Sequence, residues 1–335
     1  MKRVVLHLVT FVLGFSSAYI FINLFPQNSD STHLINQIKA RPLDKYSIDD
    51  LSTTEVSPSQ IQLGELIKDE DKYSSYKFYF NFDPTLSNKT SKKVSGLVNF
   101  PKKEGLFPTV VMFRGYVDQK LYTTGDGTRK AAEYLAANGF ITIAPDFLGY
   151  GDSDTEASNI FESRFQTYTT ALTLLKSLKS LSKWDNKNIL IWGHSNGGQI
   201  ALTILEITRK TYPTVLWAPV SKPFPYSVLY YTDESQDGGK LIRRELAKFE
   251  EDYNTDLYSI ETYFDRINAP IELHQGTIDD AVPVSWSNQL SKTLIDLDKN
   301  INYYVYPQAD HNLNPSWNIV VERNLKYFQE NLTNQ

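Results

Sequence analysis

The sequence predicts an α/β protein with a mostly parallel, twisted sheet covered by helices on both faces. From about residue 109 onwards, short apolar runs alternate with stretches of helical periodicity, which is typical of repeated strand–helix units. Two alternating segments at residues 76–82 and 94–100, joined by a polar turn, predict an antiparallel hairpin that opens the sheet. The motif G-x-S-x-G at residues 193–197 lies between a buried strand and a helix.

Composition excludes several classes of protein. The chain has 335 residues, of which 41% are hydrophobic and 22% charged, so it can bury one large core or two modest ones. A net charge of -5 and the lack of a basic stripe argue against a nucleic-acid partner. The chain has no cysteine, which excludes disulfides and thiolate chemistry. No group of histidine and acidic residues has metal-ligand spacing, so neither a metal nor another cofactor is expected.

Residues 1–26 predict a signal-anchor, a single transmembrane helix that is not cleaved. Lys2 and Arg3 precede an apolar run at residues 4–25, which as a helix would span about 33 Å, enough for a hydrocarbon core of about 30 Å. The basic start keeps the N-terminus in the cytoplasm and places the rest of the chain outside the cell membrane. Cleavage after the small residues at 16–18, giving a secreted protein, is the alternative, but the apolar run continues beyond them.

A polar stretch interrupted by Pro42 and Pro58 predicts a tether over residues 27–71, followed by a folded domain over residues 72–335. After the hairpin, short apolar runs of this domain are typical of strands buried on both faces. These runs are residues 109–113, 140–144, 189–192, 213–217, 270–274 and 301–306. Apolar residues spaced by three and four predict helices between the strands. These helices are residues 128–138, 162–181, 199–210, 285–297 and 317–331.

Ser195 is the predicted nucleophile. A strand, a sharp turn and a helix form the context that a nucleophile elbow requires, with the hydroxyl exposed above the carboxyl edge of the sheet. Gly193 and Gly197 flank the serine because side chains there would collide across so tight a turn. The start of the following helix presents free N–H groups, which favour a developing negative charge.

His311 is the predicted base, because a serine hydroxyl is a weak nucleophile without one. Elbow-type enzymes carry their triad in the order serine, acid, histidine, and His311 lies on a late loop between the last strand and the last helix. His194, next to the nucleophile, should point away from the hydroxyl. The remaining histidines are His7, His33 and His274.

Two carboxylates compete for the role of the acid. The loop at residues 276–283 follows a buried strand and contains Asp279 and Asp280. Asp279 is predicted to orient His311 and to stabilise its protonated form. Asp280 is the alternative, with helix capping or bonding of the loop backbone as its other role. Asp310 is adjacent to His311 and is not expected to face it.

The oxyanion hole is predicted to use two backbone N–H groups, those of Asn196 and Tyr116. Tyr116 follows the strand at residues 109–113, and Gly115 before it allows close backbone approach. Arg114 and Tyr150 are candidate substrate-binding residues. For Arg114 the ligand would be an anionic substrate group, and the alternative is a structural salt bridge.

Two further segments have rival interpretations. The glycine-rich turn at residues 146–153 lacks a Walker lysine and a G-x-G-x-x-G that opens onto a helix, which argues against a nucleotide site. Residues 220–266 form an insertion between two core strands, aromatic at first and then helical and charged over residues 241–253. At the carboxyl edge such an insertion is a candidate lid, with a peripheral helical excursion as the alternative.

These residues together resemble the α/β-hydrolase superfamily, and most of all the catalytic domain of the prolyl oligopeptidase family and its relatives among dienelactone hydrolases and acetyl esterases. The matching segments lie in the family's order over roughly residues 95–330. They are Gly115 after its apolar strand, residues 145–153, 193–198 and 274–283, and His311. The resemblance implies an α/β-hydrolase fold, Ser195 as nucleophile, Asp279 as acid and His311 as base.

The chain departs from the family pattern in two places. The family usually has His-Gly at the position of Arg114-Gly115. This change does not remove the backbone N–H group that is expected to donate to the oxyanion. Residues 27–94 are too few for the large propeller that filters peptides in prolyl oligopeptidases. The expected function is a serine hydrolase that cleaves an ester or a peptide amide bond through a Ser-His-Asp triad and an acyl-enzyme, as a prolyl-oligopeptidase-like peptidase domain without a propeller. A small-ester carboxylesterase, a non-catalytic binding protein, and a lyase or transferase on the same fold are the alternatives.

Overall fold

A computed structural model describes residues 39–235 and 237–333, and nine strands of this part form one sheet. They are Gln62–Asp69 (β1), Tyr73–Phe82 (β2), Lys92–Pro101 (β3), Phe107–Phe113 (β4), Ile141–Pro145 (β5), Trp184–His194 (β6), Thr214–Trp217 (β7), Ile271–Gly276 (β8) and Ile301–Tyr306 (β9). The order across the sheet is β1-β2-β3-β5-β4-β6-β7-β8-β9. Strands β1, β2, β3 and β5 pair antiparallel, and every pair from β5 to β9 is parallel. The predicted mostly parallel sheet and its opening hairpin, β2–β3, are confirmed.

The described helices lie close to the predicted ones. They are Ile48–Thr53 (α1), Arg129–Ala137 (α2), Ile160–Ser177 (α3), Asn196–Thr208 (α4), Tyr226–Leu229 (α5), Lys240–Asp252 (α6), Val284–Asp296 (α7) and Trp317–Glu330 (α8). Helix α3 begins two residues earlier than predicted because Asn159 caps it, accepting the N–H groups of Phe161 and Glu162 at 3.0 Å each. The predicted end of this helix, near residue 181, is instead a short 3₁₀ turn, Leu178–Ser180.

Alternate residues of the central strands face two separate apolar layers. Val111 and Ile191 pack in the layer that contains α3 and α4, whereas Val110 and Leu190 pack in the layer that contains α2 and α8. All four side chains are at most 1% exposed. A strand whose side chains alternate between two buried faces reads as a continuous apolar run, which is why these strands were recognisable in the sequence.

The second part of the predicted tether, from residue 42, is instead folded. Residues from Pro42 onwards belong to one compact unit, which contains α1 and the edge strand β1. Tyr46 is fully buried, and its hydroxyl donates to a carboxylate oxygen of Glu162 in α3 at 3.0 Å. Ile48 and Leu51 are buried as well. The prediction was wrong here because these apolar residues have no strand or helix period, and tertiary packing buries them one by one.

The predicted signal-anchor at residues 1–26 and the first part of the tether lie outside the described residues. Within residues 39–235 and 237–333, no helix combines the length and apolar character that crossing a membrane requires.

Parallel pairing brings the chemically important loops to one edge of the sheet. Strands β4, β6, β8 and β9 all run in the same direction, so the loops that follow them leave from the same edge. The loop after β4 carries Gly115, and the turn after β6 carries Ser195. The loops after β8 and β9 carry Asp279 and His311. This edge is where ligands bind in open α/β sheets.

Candidate active site

Ser195 occupies the sharp turn between β6 and α4, with φ 57° and ψ -120°. A positive φ is rare for a residue with a side chain, and it is held here by a hydrogen bond from the Ser195 N–H to the Trp217 carbonyl at 2.9 Å. The flanking glycines leave the room that the turn needs. A Cβ on Gly193 would lie 2.5 Å from the carbonyl oxygen of Gly197, and a Cβ on Gly197 would overlap the carbonyl of Phe113.

His311 is paired with Asp279. Its Nδ1 lies 2.8 Å from Oδ2 and 3.0 Å from Oδ1 of the carboxylate. The carboxylate is itself held by the N–H groups of Ala281 and Val282, at 2.9 and 2.8 Å, and by the Gln275 side-chain amide at 2.9 Å. Burial alone would raise the pKa of Asp279, but these hydrogen bonds, above all that from His311, outweigh it and lower the pKa. Asp279 therefore stays ionised and accepts the Nδ1–H of His311.

The other two carboxylates of this region are not bonded to the imidazole. Asp280 is exposed and lines the open cleft. Asp310 accepts the N–H groups of Asn312 and Asn314, at 2.9 and 2.8 Å, which fixes its own loop. Bonding of the loop backbone was the other role considered for Asp280, but the N–H groups of Ala281 and Val282 bond Asp279 instead.

Ser195 and His311 line the same cleft, which has a volume of about 1250 Å³. The insertion predicted at residues 220–266 contributes to the walls of this cleft with residues such as Val228 and Leu241. Its base packs on α3 through an aromatic cluster, in which the ring of Phe161 lies 5.2 Å from that of Phe249. The insertion therefore borders access to Ser195, and its movement as a lid remains a prediction.

Backbone approaches Ser195 closely on the side of β4. A Cβ added to Gly115 would lie 3.0 Å from Cβ and 3.5 Å from Oγ of Ser195, so a side chain there would crowd the serine. Tyr116 follows directly, and Asn196 is the first residue of α4; both line the cleft. Their N–H groups remain the predicted oxyanion donors.

Arg114 is buried beside this loop. Its guanidinium donates to the backbone carbonyls of Gly115 and Asp146, at 2.9 and 3.0 Å. It also stacks on aromatic rings, 3.9 Å from the centroid of Tyr150 and 4.6 Å from that of Tyr122. From the sequence, a structural salt bridge was the alternative role of Arg114. The structure instead holds the guanidinium with bonds to carbonyls and with ring stacking. Arg114 and Tyr150 together line a second, smaller cavity.

Sequence reasoning missed three residues that the structure places in or beside the site. His194, predicted to point away from the hydroxyl, bonds the backbone carbonyl of His311 through its Nε2 at 3.0 Å. Gln275 holds Asp279 and is itself fixed by the Ser287 hydroxyl at 2.7 Å. Arg164, on α3, lines both cavities. Only His194 carried a sequence signal, its place beside the nucleophile. Over the part of the chain that the structure describes, no three His, Asp or Glu side chains are grouped to hold a metal.

A mostly parallel sheet with a serine on a strained turn at its carboxyl edge defines this protein as a serine hydrolase with an α/β-hydrolase fold. Comparison with protein families agrees. The family model described as prolyl oligopeptidase family (Peptidase_S9) matches residues 127–335, and the chain belongs to this family.

This chain is similar both to a protein named as a peptidase and to one named as an acetyl esterase. It is 26% identical over 243 residues to the "Uncharacterized peptidase YtmA" of Bacillus subtilis (strain 168), covering 71% of this chain and 89% of that protein. It is 25% identical over 268 residues to the "Acetyl esterase Axe7A" of Xylanibacter ruminicola, covering 72% of this chain and 57% of that protein. Among solved structures, acetyl xylan esterase 1 from Thermoanaerobacterium sp. JW/SL YS485 has a TM-score of 0.62 at 17% identity, covering 86% of this chain and 94% of that one. That likeness concerns the fold alone.

Proposed function

We propose that the protein hydrolyses small carboxylic esters through an acyl-enzyme on Ser195. In this proposal His311 is the general base, and the ionised carboxylate of Asp279 orients it. The observation that carries this proposal is the 2.8 Å bond between His311 Nδ1 and Asp279 Oδ2, in the loop that lines one cleft with Ser195. An imidazole whose Nδ1–H is held by a carboxylate keeps Nε2 free to accept a proton.

The reaction follows from these roles. Nε2 of His311 takes the proton of the Ser195 hydroxyl as the oxygen attacks the ester carbonyl. The negative charge that forms on the carbonyl oxygen is met by the N–H groups of Asn196 and Tyr116. The His311 imidazolium, stabilised by Asp279, then protonates the leaving alcohol. A water activated by the same imidazole releases the acid and restores Ser195.

Short peptide amides are the second candidate substrates, because the chain belongs to the prolyl oligopeptidase family. Small esters come first because an alcohol leaves more readily than an amine, so ester cleavage demands less of His311 as an acid. The names of the similar proteins include both a peptidase and an acetyl esterase.

The experiment is covalent labelling combined with turnover. A chain covering residues 39–335 is treated with a fluorophosphonate and the adduct is located by mass spectrometry. Hydrolysis of 4-nitrophenyl acetate and of aminoacyl 4-nitroanilides is measured on the same protein. We expect an adduct on Ser195 and ester turnover, both lost in Ser195→Ala. Ser52→Ala is the matched control, because the hydroxyl of Ser52 bonds a carbonyl of its own helix, that of Asp49.

Three outcomes separate the alternatives. Turnover by folded Ser195→Ala would rule out this serine as the nucleophile. A folded wild-type protein that neither labels nor turns over any ester or amide would favour the non-catalytic binding protein. Anilide cleavage far above ester cleavage would favour the peptidase.

We also propose that residues 1–26 anchor the enzyme in the cell membrane with its catalytic domain outside the cytoplasm. The apolar run behind Lys2 and Arg3 supports this location. Full-length protein expressed in bacteria should stay in the membrane fraction, and external protease should reach its domain in spheroplasts. Release of a soluble product whose N-terminus follows residue 18 would favour the secreted form instead.

A further inference from the structure

A second cavity, of about 300 Å³, adjoins the cleft that contains Ser195. Tyr116, Asn196 and Arg164 line both spaces, so the two meet at the loop and helix start that carry the predicted oxyanion donors. His311 lines the large cleft but not the small cavity. The small cavity therefore lies beside the oxyanion hole and away from the base.

Two guanidinium groups line the small cavity, those of Arg114 and Arg164. Arg164 donates to the side-chain carbonyl oxygen of Gln199, and Arg114 donates to two backbone carbonyls. In both side chains Nε is buried and has no hydrogen-bond partner. Among the described residues, neither arginine forms an ion pair with a carboxylate.

One carboxylate also lines this cavity, that of Glu156, but it does not neutralise the arginines. Its Oε1 accepts the Gln119 side-chain amide at 2.9 Å, and its Oε2 accepts the hydroxyl of Ser163. Glu156 is exposed, so water screens its charge. The charged side chains that line the cavity are therefore the two arginines and the screened Glu156.

Arg114 and Arg164 lack the negatively charged partner that buried arginines usually have. Burying a charged group is costly unless it is paired, and the planar fork of a guanidinium matches a carboxylate in two parallel hydrogen bonds. The start of α4 adds N–H groups of the same polarity at Asn196. A ligand carboxylate in the cavity would supply the negative charge that neither arginine finds in a carboxylate of the described residues.

We propose that this cavity binds a carboxylate on the acyl part of the substrate, so that the preferred esters are monoesters of short dicarboxylic acids. The inference rests on the proposed function. The leaving group must lie on the side of His311, which protonates it, whereas the cavity lies on the side of Asn196 and Tyr116. The substituent that enters the cavity is therefore carried by the acyl carbon. Arg164 is its specificity-determining residue, because it lines both spaces.

The test compares two esters of equal chain length, mono-4-nitrophenyl glutarate and 4-nitrophenyl valerate. The wild-type protein should have a kcat/KM at least about tenfold higher for the glutarate, and this preference should weaken as ionic strength rises. Arg164→Met, which keeps the length but not the charge, should lower the glutarate-to-valerate ratio at least about tenfold. Arg164→Lys should retain part of it.

Arg244→Met is the matched control, because Arg244 is an exposed arginine on α6 that pairs with Glu245. Its ratio should equal that of the wild type. A glutarate-to-valerate ratio near one in the wild type would overturn the inference, and so would a ratio that Arg164→Met leaves unchanged. Hydrolysis of the valerate ester and labelling of Ser195 would still support the proposed function.

If the wild-type protein hydrolyses neither of these esters nor 4-nitrophenyl acetate, the proposed function fails and the cavity is tested by binding instead. Glutarate at millimolar concentration should raise the unfolding temperature of the wild type and not that of Arg164→Met. No shift in the wild type would overturn the carboxylate site as well.

Discussion

The ring Nε2 of His194 lies 3.0 Å from the backbone carbonyl oxygen of His311, and the two imidazole centroids are 4.6 Å apart. The carbonyl can only accept, so Nε2 of His194 donates. Burial lowers the pKa of His194 to about 4, which keeps this imidazole neutral at physiological pH. The residue next to the nucleophile thus fixes the loop that carries the proposed base.

Removing this bond should weaken catalysis through the position of His311. His194→Ala leaves a buried carbonyl without its donor and opens a cavity, so we expect unfolding free energy to fall by about 2 kcal/mol. We expect kcat to fall roughly tenfold or more, with KM changing less, because the proton-transfer geometry is disturbed. Steady-state kinetics and urea unfolding measure both effects.

The control is His194→Gln, whose amide nitrogen can donate to the same carbonyl. It should recover part of the lost kcat. If the alanine and glutamine variants have the same kcat as the wild type, the bond does not position His311.

His194 should also make stability depend on pH. Its folded pKa of about 4 lies below the ordinary value near 6.5, so between these values the unfolded chain binds more protons than the folded one. Stability is therefore highest above pH 6.5 and is lost as pH falls towards 4, by on the order of 3 kcal/mol from this residue. Urea unfolding across this range should show a shallower slope in His194→Gln. An identical slope would mean that His194 does not titrate this way.

Replacing Asp279 by asparagine should impair the reaction far more than it impairs folding. An amide no longer secures the Nδ1–H tautomer of His311 and does not stabilise the imidazolium, so kcat should fall by about 10³ to 10⁴. Asp280→Asn is the matched control because Asp280 is exposed and is not bonded to His311. Its kcat should stay within a few-fold of the wild type. Equal losses in the two variants would contradict the assignment of Asp279.

The elbow should tolerate no side chain at residue 197. A Cβ there overlaps the carbonyl of Phe113, so Gly197→Ala should cost about 3 kcal/mol or more and abolish labelling of Ser195. Gly105→Ala is the comparison, since no atom lies within 4 Å of its added Cβ. Its positive φ of 120° alone should cost about 1 kcal/mol. Thermal unfolding measures both, and a Gly197→Ala variant as stable as the comparison would contradict the close approach.

Residues 42–61 should contribute to the stability of the hydrolase unit. Leu51 is 2% exposed, and truncating it to alanine should lower the unfolding free energy by about 2 to 5 kcal/mol. Leu106→Ala, at a residue that is 55% exposed, should change it by less than about 0.5 kcal/mol. Urea unfolding of both variants tests this. A neutral Leu51→Ala would mean that the segment is a tether after all.

Much of this fold was predictable because buried strands and amphipathic helices leave regular patterns. Strands β4 to β9 and the helices between them appear in the sequence as apolar runs and spacings. Strand β1 does not, because it is an edge strand whose residues are mostly exposed. The burial of Tyr46 was likewise hidden, since its partners Glu162 and Gln166 lie more than a hundred residues away.

The sequence by itself determined the class of this protein. The elbow motif lies between a predicted strand and a predicted helix, and Asp279 and His311 follow it on late loops. Short stretches of sequence and their order along the chain are enough to recognise these features. Tertiary structure decided what surrounds these residues. Only the folded sheet pairs His311 with Asp279 and not with Asp280. Only the packing of α3 against the elbow brings Arg164 to the cleft. Both relationships depend on distances between residues far apart in the chain, and no local pattern records such distances.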